Sequence, residues 1–369
     1  MELAADQAMA AGNRHGAAEL LQRAADFRPT VDTLLKLASV RRALGDIGLA
    51  ATAAEKAVKL APRNFVALLM LGAMQEAMHA EHRAARTYRA ALRTALPEQR
   101  LPPPIVKQMQ HARRRVAAED RWLERVSDWR AGGDLPKESA ARLDGLKQSI
   151  LENSAAGSDV SSQFLIPGIK SAEYFEPADF AGVPEIERHT DAIRDEFLSL
   201  TRKRAPQLAP YLAGLEAEQP NREQIGKWSM IPLVRGGNVI GEYASECPIT
   251  MRLFKGIDSP RIGRIAPSLY FSVLEPHSRI EPHTGIINAR LIVHWPLIVP
   301  DSCGFRVGSE SREWVPGTAL VFDDMIEHEA WNDSDRIRVV LISDLWRPDL
   351  TEVERCGITQ LMDADARAA

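Results

Sequence analysis

The chain has 369 residues, of which 45% are hydrophobic and 26% are charged, an ordinary composition for globular protein and enough for two or three domains. The formal net charge of -4 and the sequence pI near 6.2 argue against binding to nucleic acid or to an anionic membrane surface. The three cysteines, Cys247, Cys303 and Cys356, show no CxxC spacing, which argues against a disulfide framework or a zinc knuckle. With an acidic N-terminal stretch and no apolar run of about 18 residues, the sequence predicts a cytoplasmic protein without a membrane anchor.

The first hundred residues are rich in alanine and contain an internal repeat. A glycine, two alanines and a proline recur 33 positions later, so that Gly12, Ala17, Ala24 and Pro29 return as Gly45, Ala50, Ala57 and Pro62. A third and less complete copy contains Ala84 and Ala91 and ends at Pro97. Small residues at fixed helical positions let two helices approach closely, and the pattern resembles the tetratricopeptide repeat. We expect an α-helical solenoid over residues 1–100 that contacts a protein partner, with a plain helical bundle as the alternative.

The composition of the next region indicates a linker between two domains. Residues 101–155 are polar and compatible with helix, and they are interrupted at 130–136 and again at 152–159 by glycine, proline and serine. We therefore expect a helical linker over 101–155, a boundary near residue 155, and a further domain over 156–369. One helix is predicted at 185–201 in that domain, with Pro184 just before it.

Beyond this helix the pattern changes to strands. Four short runs of apolar or alternating residues, rich in β-branched side chains, are separated by glycine, proline, aspartate and serine. They predict strands at 268–274, 289–299, 318–324 and 337–346. Several short strands at this spacing are typical of a β-sandwich or barrel.

The strand periodicity also predicts which polar side chains share a face. Alternation groups Arg290, Ile292 and His294 on one face of their strand, and Arg338 with Val340 on one face of another. An arginine that points into an apolar barrel is unfavourable unless an anion meets it, because its guanidinium cannot be neutralised. We therefore predict that Arg338 binds a carboxylate.

Two histidines complete the outline of a metal site. His283 and His328 are separated by 45 residues, and Arg338 follows the second by ten. Two histidines on neighbouring barrel strands with an inward arginine indicate a non-haem Fe(II) oxygenase that uses 2-oxoglutarate. Such sites usually take a carboxylate two residues after the first histidine, and Gly285 stands there instead.

Three segments resemble the aspartyl/asparaginyl β-hydroxylase family over roughly residues 163–352. They are FEPADFAGVPEIERHTDAIRDE, PHTGIINARLIVHWPLIVP and CGFRVGSESREWVPGTALVFDDMIEHEAWNDSDRIRVVLISDLWRPDLT. In that family the first histidine stands in an HTG motif and iron is held without a protein carboxylate, so the resemblance accounts for Gly285. It implies a C-terminal double-stranded β-helix domain of the jelly-roll or cupin-like type, preceded by tetratricopeptide repeats.

The resemblance also implies roles for individual residues. His283 and His328 would be the iron ligands, and Ser272, His294 and Arg338 would hold 2-oxoglutarate, with Arg338 on its distal carboxylate. Acidic residues near the second histidine are expected to orient water or an imidazole rather than to bind iron; they are Asp323, Asp324, Glu327 and Glu329.

The substrate is less well defined by the sequence. Arg290 is retained as a predicted substrate residue, but Ile292 stands where peptide-hydroxylating members carry a second substrate-binding arginine. We expect a dioxygenase that requires Fe(II), 2-oxoglutarate and dioxygen and hydroxylates an unactivated carbon, with the β-carbon of Asp or Asn in a polypeptide as the favoured target. The alternatives are hydroxylation of a free or carrier-bound amino acid or acyl chain, and a non-catalytic repeat scaffold with a degenerate oxygenase domain.

Overall fold

The chain forms two compact units. The structure is a computed structural model that describes residues 1–78, 80–95, 97–132, 135–155, 163–203, 228–263 and 265–363. One unit is built from residues 1–127 and a segment that begins at Leu151, and the other from Asp128–Ile150 and a segment that begins at Gln163. The predicted break at 152–159 lies partly outside the described residues, and the domain boundaries near 100 and 155 stay predictions.

The described part of the first unit is helical. Its helices are α1 (Glu2–Ala10), α2 (Arg14–Phe27), α3 (Val31–Ala43), α4 (Ile47–Leu60), α5 (Phe65–Ala77), α6 (Glu81–Arg93) and α7 (Pro103–Asp128). The first six pack as successive hairpins, α1 on α2, α3 on α4, and α5 on α6. Side-chain caps begin several of them, since Thr30 accepts from the Thr33 amide and Asn64 from the Ala67 amide.

The repeated residues have the same structural role in each hairpin. Gly12 and Gly45 both lie just past a helix end with positive φ values of 78° and 85°, a conformation that favours glycine. The repeated alanines are all buried; they are Ala17, Ala24, Ala50, Ala57, Ala84 and Ala91. The structure therefore contains the predicted helical repeats.

The second unit combines two sheets with short helices. Its helical elements are α8 (Lys137–Ala155, to Ile150 within this unit), α9 (Val183–Arg188), α10 (Thr190–Lys203), α11 (Gly241–Ala244), α12 (Pro248–Phe254) and α13 (Glu352–Met362). The strands are β1 (Tyr174–Phe175), β2 (Trp228–Arg235), β3 (Asn238–Val239), β4 (Leu269–Leu274), β5 (Ser278–His283), β6 (Arg290–Ile298), β7 (Cys303–Val307), β8 (Glu310–Arg312), β9 (Leu320–Phe322), β10 (His328–Asn332) and β11 (Arg338–Trp346).

The strands form an antiparallel β-sandwich. The larger sheet has the order β1-β9-β6-β11-β4-β2-β3, and the smaller sheet has the order β5-β10-β7-β8. Consecutive strands from β4 to β7 alternate between the two sheets. This alternation brings the ends of β5 and β10, which are distant in sequence, together in the smaller sheet.

The two faces of the larger sheet have different environments, as the period of two predicts. On the outer face, Trp295 of β6 belongs to a core with Phe197 of α10. On the inner face, Ile292 and Val340 pack with Phe305 of the smaller sheet. Polar residues of the same alternation, such as His294 and Arg338, are therefore enclosed between the sheets.

The strand predictions are confirmed where the apolar signal was strong. β4, β6, β9 and β11 lie within the four predicted runs, whereas the predicted helix at 185–201 is divided at His189 into α9 and α10. Pro184 lies inside the first turn of α9 rather than before it. Among the described residues, no helix is both long and apolar enough to cross a membrane.

Candidate active site

Two histidines face each other across adjacent strands of the smaller sheet. His283 ends β5, His328 begins β10, and the two residues are paired in register. Their ring centroids are 4.1 Å apart. His283 is exposed, whereas His328 is buried, so the pair lies at the edge of the space between the sheets.

Each imidazole is oriented by the backbone carbonyl two residues before it. Nδ1 of His283 lies 2.8 Å from the Glu281 carbonyl oxygen, and Nδ1 of His328 lies 2.9 Å from the Ile326 carbonyl oxygen. A carbonyl only accepts hydrogen bonds, so both Nδ1 atoms carry a proton, and in the neutral form of each ring the lone pair is on Nε2. Burial lowers the pKa of His328 to about 4, with a further contribution from His283, so its ring is neutral at physiological pH.

This pair fits a metal site with open positions. Among the residues that the structure describes, no group of three or more His, Cys, Asp or Glu side chains could hold a metal ion. Imidazole nitrogens are ligands that suit Fe(II), so His283 and His328 could hold such an ion together.

Gly285 is explained by the position of an aspartate. A Cβ atom at residue 285 would lie 2.3 Å from Oδ2 and 2.6 Å from Oδ1 of Asp324, closer than any side chain tolerates. The Gly285 amide donates to the Asp324 carbonyl oxygen at 2.5 Å. A carboxylate from the loop before His328 thus occupies the space that a side chain at 285 would take.

Arg338 is a buried cation with unused hydrogen-bonding capacity. It is 1% exposed, and its Nη1 donates to the Ser272 carbonyl oxygen and Oγ at 3.1 and 3.0 Å. Its Nε has no hydrogen-bond partner, and no carboxylate among the described residues pairs with it. Burial lowers the pKa of Arg338 to about 10, which still leaves it charged at pH 7. A buried guanidinium with unused donors could bind an anion.

Ser272 and His294 add donors beside Arg338. Ser272 Oγ accepts from Trp228 Nε1 at 2.9 Å as well as from Arg338, so its own hydroxyl proton is available to a ligand. Trp314 Nε1 lies 3.3 Å from His294 Nδ1, and because indole only donates, His294 carries its proton on Nε2. Burial and the nearby Arg338 charge hold the pKa of His294 well below its usual range.

Arg290 lies on the same inner face but has internal partners. Its Nη2 is 3.0 Å from Asp324 Oδ2, and its Nη1 forms a close ion pair with Asp344. Burial opposes its charge, yet Asp344 and Asp324 raise the pKa of Arg290 above its usual value. The predicted contact between Arg290 and substrate therefore competes with two ion pairs inside the protein.

The other acidic candidates have cationic partners. Asp323 forms a buried ion pair with Arg347 at 2.7 Å, and Glu327 and Glu329 both pair with Arg306. Asp324 differs because its Oδ1 is buried without a hydrogen-bond partner. Of the four candidates, Asp324 is the one that packs directly against the loop of the first histidine.

Sequence reasoning missed two residues of the site. Asp344 continues the inward alternation of Arg338 along β11, so the period of two could have identified it. Trp228 gives no such signal, because its contact with Ser272 depends on the pairing of β2 with β4. Cys303 is buried, and burial raises its pKa to about 11, so its side chain is a small apolar thiol and not a thiolate nucleophile at physiological pH.

Comparison with known proteins identifies related sequences. The family model described as aspartyl/asparaginyl beta-hydroxylase matches residues 187–348. The chain is similar to the mouse aspartyl/asparaginyl beta-hydroxylase, with 31% identity over 198 residues that make up 53% of this chain and 26% of that protein. It is also similar to the ornithine lipid ester-linked acyl 2-hydroxylase of Rhizobium tropici, with 30% identity over 177 residues that make up 47% of this chain and 60% of that protein.

Among solved structures, a prolyl-4-hydroxylase of Pseudomonas putida aligns with a TM-score of 0.25 at 16% identity, covering 42% of this chain and 97% of that one. The chain spans less than two thirds of the length of either relative named above. The family match confirms the resemblance that the sequence motifs predicted.

Proposed function

From the premise that residues 187–348 form a domain of the aspartyl/asparaginyl β-hydroxylase family, we propose that the chain is an Fe(II)- and 2-oxoglutarate-dependent dioxygenase that hydroxylates an unactivated carbon. Two features of the site, on sheets that face each other, support the proposal. Two imidazoles donate through Nδ1 and so keep Nε2 for a metal, and a buried arginine that has no carboxylate partner among the described residues lies on the inner face of the facing sheet. The first feature suits a divalent metal and the second suits a dicarboxylate.

His283 and His328 would bind the iron through Nε2. With iron bound, one oxygen atom of dioxygen enters 2-oxoglutarate as it loses carbon dioxide to give succinate, and the other enters the substrate C–H bond. The protein's part is to hold the reactants, orient the C–H bond and exclude water. Because no protein carboxylate ligand is proposed, the carboxylate of 2-oxoglutarate would supply the negative charge at the metal. Asp324 would orient water or an imidazole rather than bind iron.

Arg338, Ser272 and His294 would hold 2-oxoglutarate. The guanidinium of Arg338 would pair with the distal carboxylate, and the Ser272 hydroxyl would donate a hydrogen bond to it. His294 is neutral and carries its proton on Nε2, so it would act as a donor and not as a cation. A hydrogen bond to a charged group is stronger inside a buried pocket than in water, which favours these three residues as the 2-oxoglutarate site.

We further propose that the sandwich is a double-stranded β-helix. The order β9-β6-β11-β4 in one sheet and β5-β10-β7-β8 in the other supports this reading, because consecutive strands from β4 to β7 and from β8 to β11 alternate between the sheets. In such a fold the site would lie between the sheets, at the end where β5 and β10 meet.

The favoured substrate is the β-carbon of an Asp or Asn residue in a polypeptide, presented with help from the helical repeats. The name of the mouse relative supports this choice. A protein partner that binds the repeats is part of the same proposal, since stacked helical hairpins offer an extended surface for a peptide.

The apolar surroundings of Ile292 favour a second class of substrate. Ile292 lies on the inner face among apolar residues of both sheets, in the place where the family's peptide-hydroxylating members carry an arginine. The name of the Rhizobium tropici relative refers to an acyl group. A free or carrier-bound amino acid or acyl chain is therefore the alternative substrate.

The decisive experiment is succinate formation by the purified full chain after anaerobic loading with Fe(II). The assay adds 2-oxoglutarate and dioxygen, with and without Asp/Asn peptides, acyl compounds and small acids, and uses His328→Ala as the inactive control. Succinate stimulated by one class, with a product heavier by one oxygen atom, would support the enzyme and identify its substrate. No metal binding and no succinate under any condition would favour a non-catalytic scaffold.

A further inference from the structure

A buried charge cluster adjoins the proposed metal site. It consists of Arg290 at the start of β6, Asp344 on β11, and Asp324 in the loop before His328. The two aspartates are 4% and 1% exposed, and the arginine bridges them. The cluster thus joins the larger sheet to the loop that leads to the second histidine.

The sheet end of the cluster is firmly held. Asp344 Oδ2 accepts from the Ser268 amide at 2.5 Å, and its other oxygen forms the close ion pair with Arg290. The two Nη atoms of Arg290 therefore both have partners, Nη1 with Asp344 of the sheet and Nη2 with Asp324 of the loop. A guanidinium presents its donors in a fixed plane, so anchoring one Nη atom also fixes the direction of the other.

Asp324, the member of the cluster that lies in the loop, contacts the residues that follow His283. Asp324 Oδ2 accepts from Arg290, while the carboxylate lies against Cα of Gly285, two residues after His283. Its Oδ1 is buried and has no hydrogen-bond partner. A buried carboxylate without its cation would be strongly unfavourable, so the position of Asp324 depends on Arg290.

We propose that Arg290 and Asp344 are positioning residues, which hold the Asp324 carboxylate against Gly285, in the loop that follows His283. This inference rests on the proposed function. It assigns Arg290 to the support of the site, in place of the substrate contact that the sequence suggested. The support reaches the metal through Asp324, which Arg290 fixes in both position and charge.

The test measures Mn(II) binding by the full chain with 2-oxoglutarate and without substrate. Asp324→Asn and Arg290→Gln should each raise the Mn(II) dissociation constant by about 10-fold to 100-fold, the usual effect of removing a partner that supports metal ligands. The double variant should bind as weakly as each single variant, because both changes remove the same interaction. Arg279→Gln is the matched control, since it removes an exposed arginine–aspartate pair with Asp333 and should leave Mn(II) binding unchanged.

Thermal unfolding without metal establishes that each variant is folded. If Arg290→Gln does not fold, Arg290→Lys replaces it, because lysine keeps the charge but cannot bridge both aspartates in one plane. Unchanged Mn(II) affinity in the folded Arg290 variants, or effects that multiply in the double variant, would overturn the proposal. Failure of the unmodified chain to bind Mn(II) would instead overturn the proposed function, and this inference with it.

Discussion

Arg338 shows most directly how a single residue can reveal a ligand. Its guanidinium is enclosed between the sheets and stacks 4.7 Å from the centre of the Trp314 ring, and among the described residues its hydrogen bonds go to Ser272 alone. A protein that needed only stability at this position would contain an apolar side chain of similar volume. The proposed binding of a 2-oxoglutarate carboxylate would give this buried charge its partner.

Arg338→Met should separate ligand binding from stability. Loss of a buried charged pair should weaken 2-oxoglutarate binding by about 2–5 kcal/mol, which is roughly a 30-fold to 4,000-fold higher concentration requirement. Stability without ligand should be unchanged or higher, because an unpaired cation has been removed. Calorimetric titration and urea unfolding measure the two effects, with the exposed Arg336→Ala as control. Unchanged 2-oxoglutarate affinity would place the anion site elsewhere.

Gly285 should not tolerate the carboxylate that is usual at its position. Gly285→Asp would bring a second carboxylate into the space held by Asp324, so metal affinity and stability should both fall. Gly285→Ala should also destabilise the protein, while Gly285→Asp combined with Asp324→Gly should recover part of the loss. Thermal unfolding and Mn(II) titration provide the readout. A rise in coupled hydroxylation by Gly285→Asp alone would contradict this view of the glycine.

Asp324 should make stability depend on pH in an unusual direction. Burial raises the pKa of its carboxyl from 3.8 to about 6, although Arg290 opposes the shift. Between these values the folded protein holds a proton that the unfolded chain has released, so stability falls as pH rises through this window. Asp324→Asn lacks this contribution. Its melting temperature relative to the unmodified chain should therefore rise from pH 4 to pH 6 and then level off, measured without metal; a constant difference would contradict the assignment.

At the level of elements, prediction succeeded where a strand buries one or both faces. β6 and β11 are long apolar runs with clear alternation, and their inward residues were assigned correctly from the sequence. β5 and β10 were not delimited, because β5 is mostly exposed and reads as a polar loop. These strands carry His283 and His328, so their proposed role as iron ligands depends on the resemblance to the family's motifs and not on the strand pattern of β5 and β10.

Helix α8 was predicted as part of a linker, yet up to Ile150 it packs within the second unit. Arg142 forms an ion pair with Glu354 at 3.3 Å, where Glu354 is buried, and Leu143 packs against Gly357 of α13. A chain truncated to residues 128–369 should therefore be more stable than one truncated to 163–369, by at least the roughly 3–5 kcal/mol of a broken buried pair. Urea unfolding of both truncated chains tests this, and equal midpoints with equal slopes would contradict it.

At the level of the whole molecule, the order of the helical repeats and the β-sandwich was predictable from the sequence. The contacts between segments that are distant in sequence were not. The 33-residue period located the helical hairpins because each repeat is a local unit. The charge cluster of Arg290, Asp324 and Asp344 depends on three segments that meet only in the folded sheet. No pattern along the chain indicates that an aspartate fills the space beside Gly285.

His283 and His328 are proposed to hold a catalytic metal together. The most direct measurement is metal content and succinate formation in the full chain and in His283→Ala, His328→Ala and His277→Asn. His277 is the control because it is an exposed histidine paired with Asp335, and asparagine tolerates its positive φ of 53°. We expect one metal ion per chain and succinate formation in the unmodified chain and the control, and neither in the two alanine variants. Retention of metal and of 2-oxoglutarate turnover by either alanine variant would contradict the proposed site.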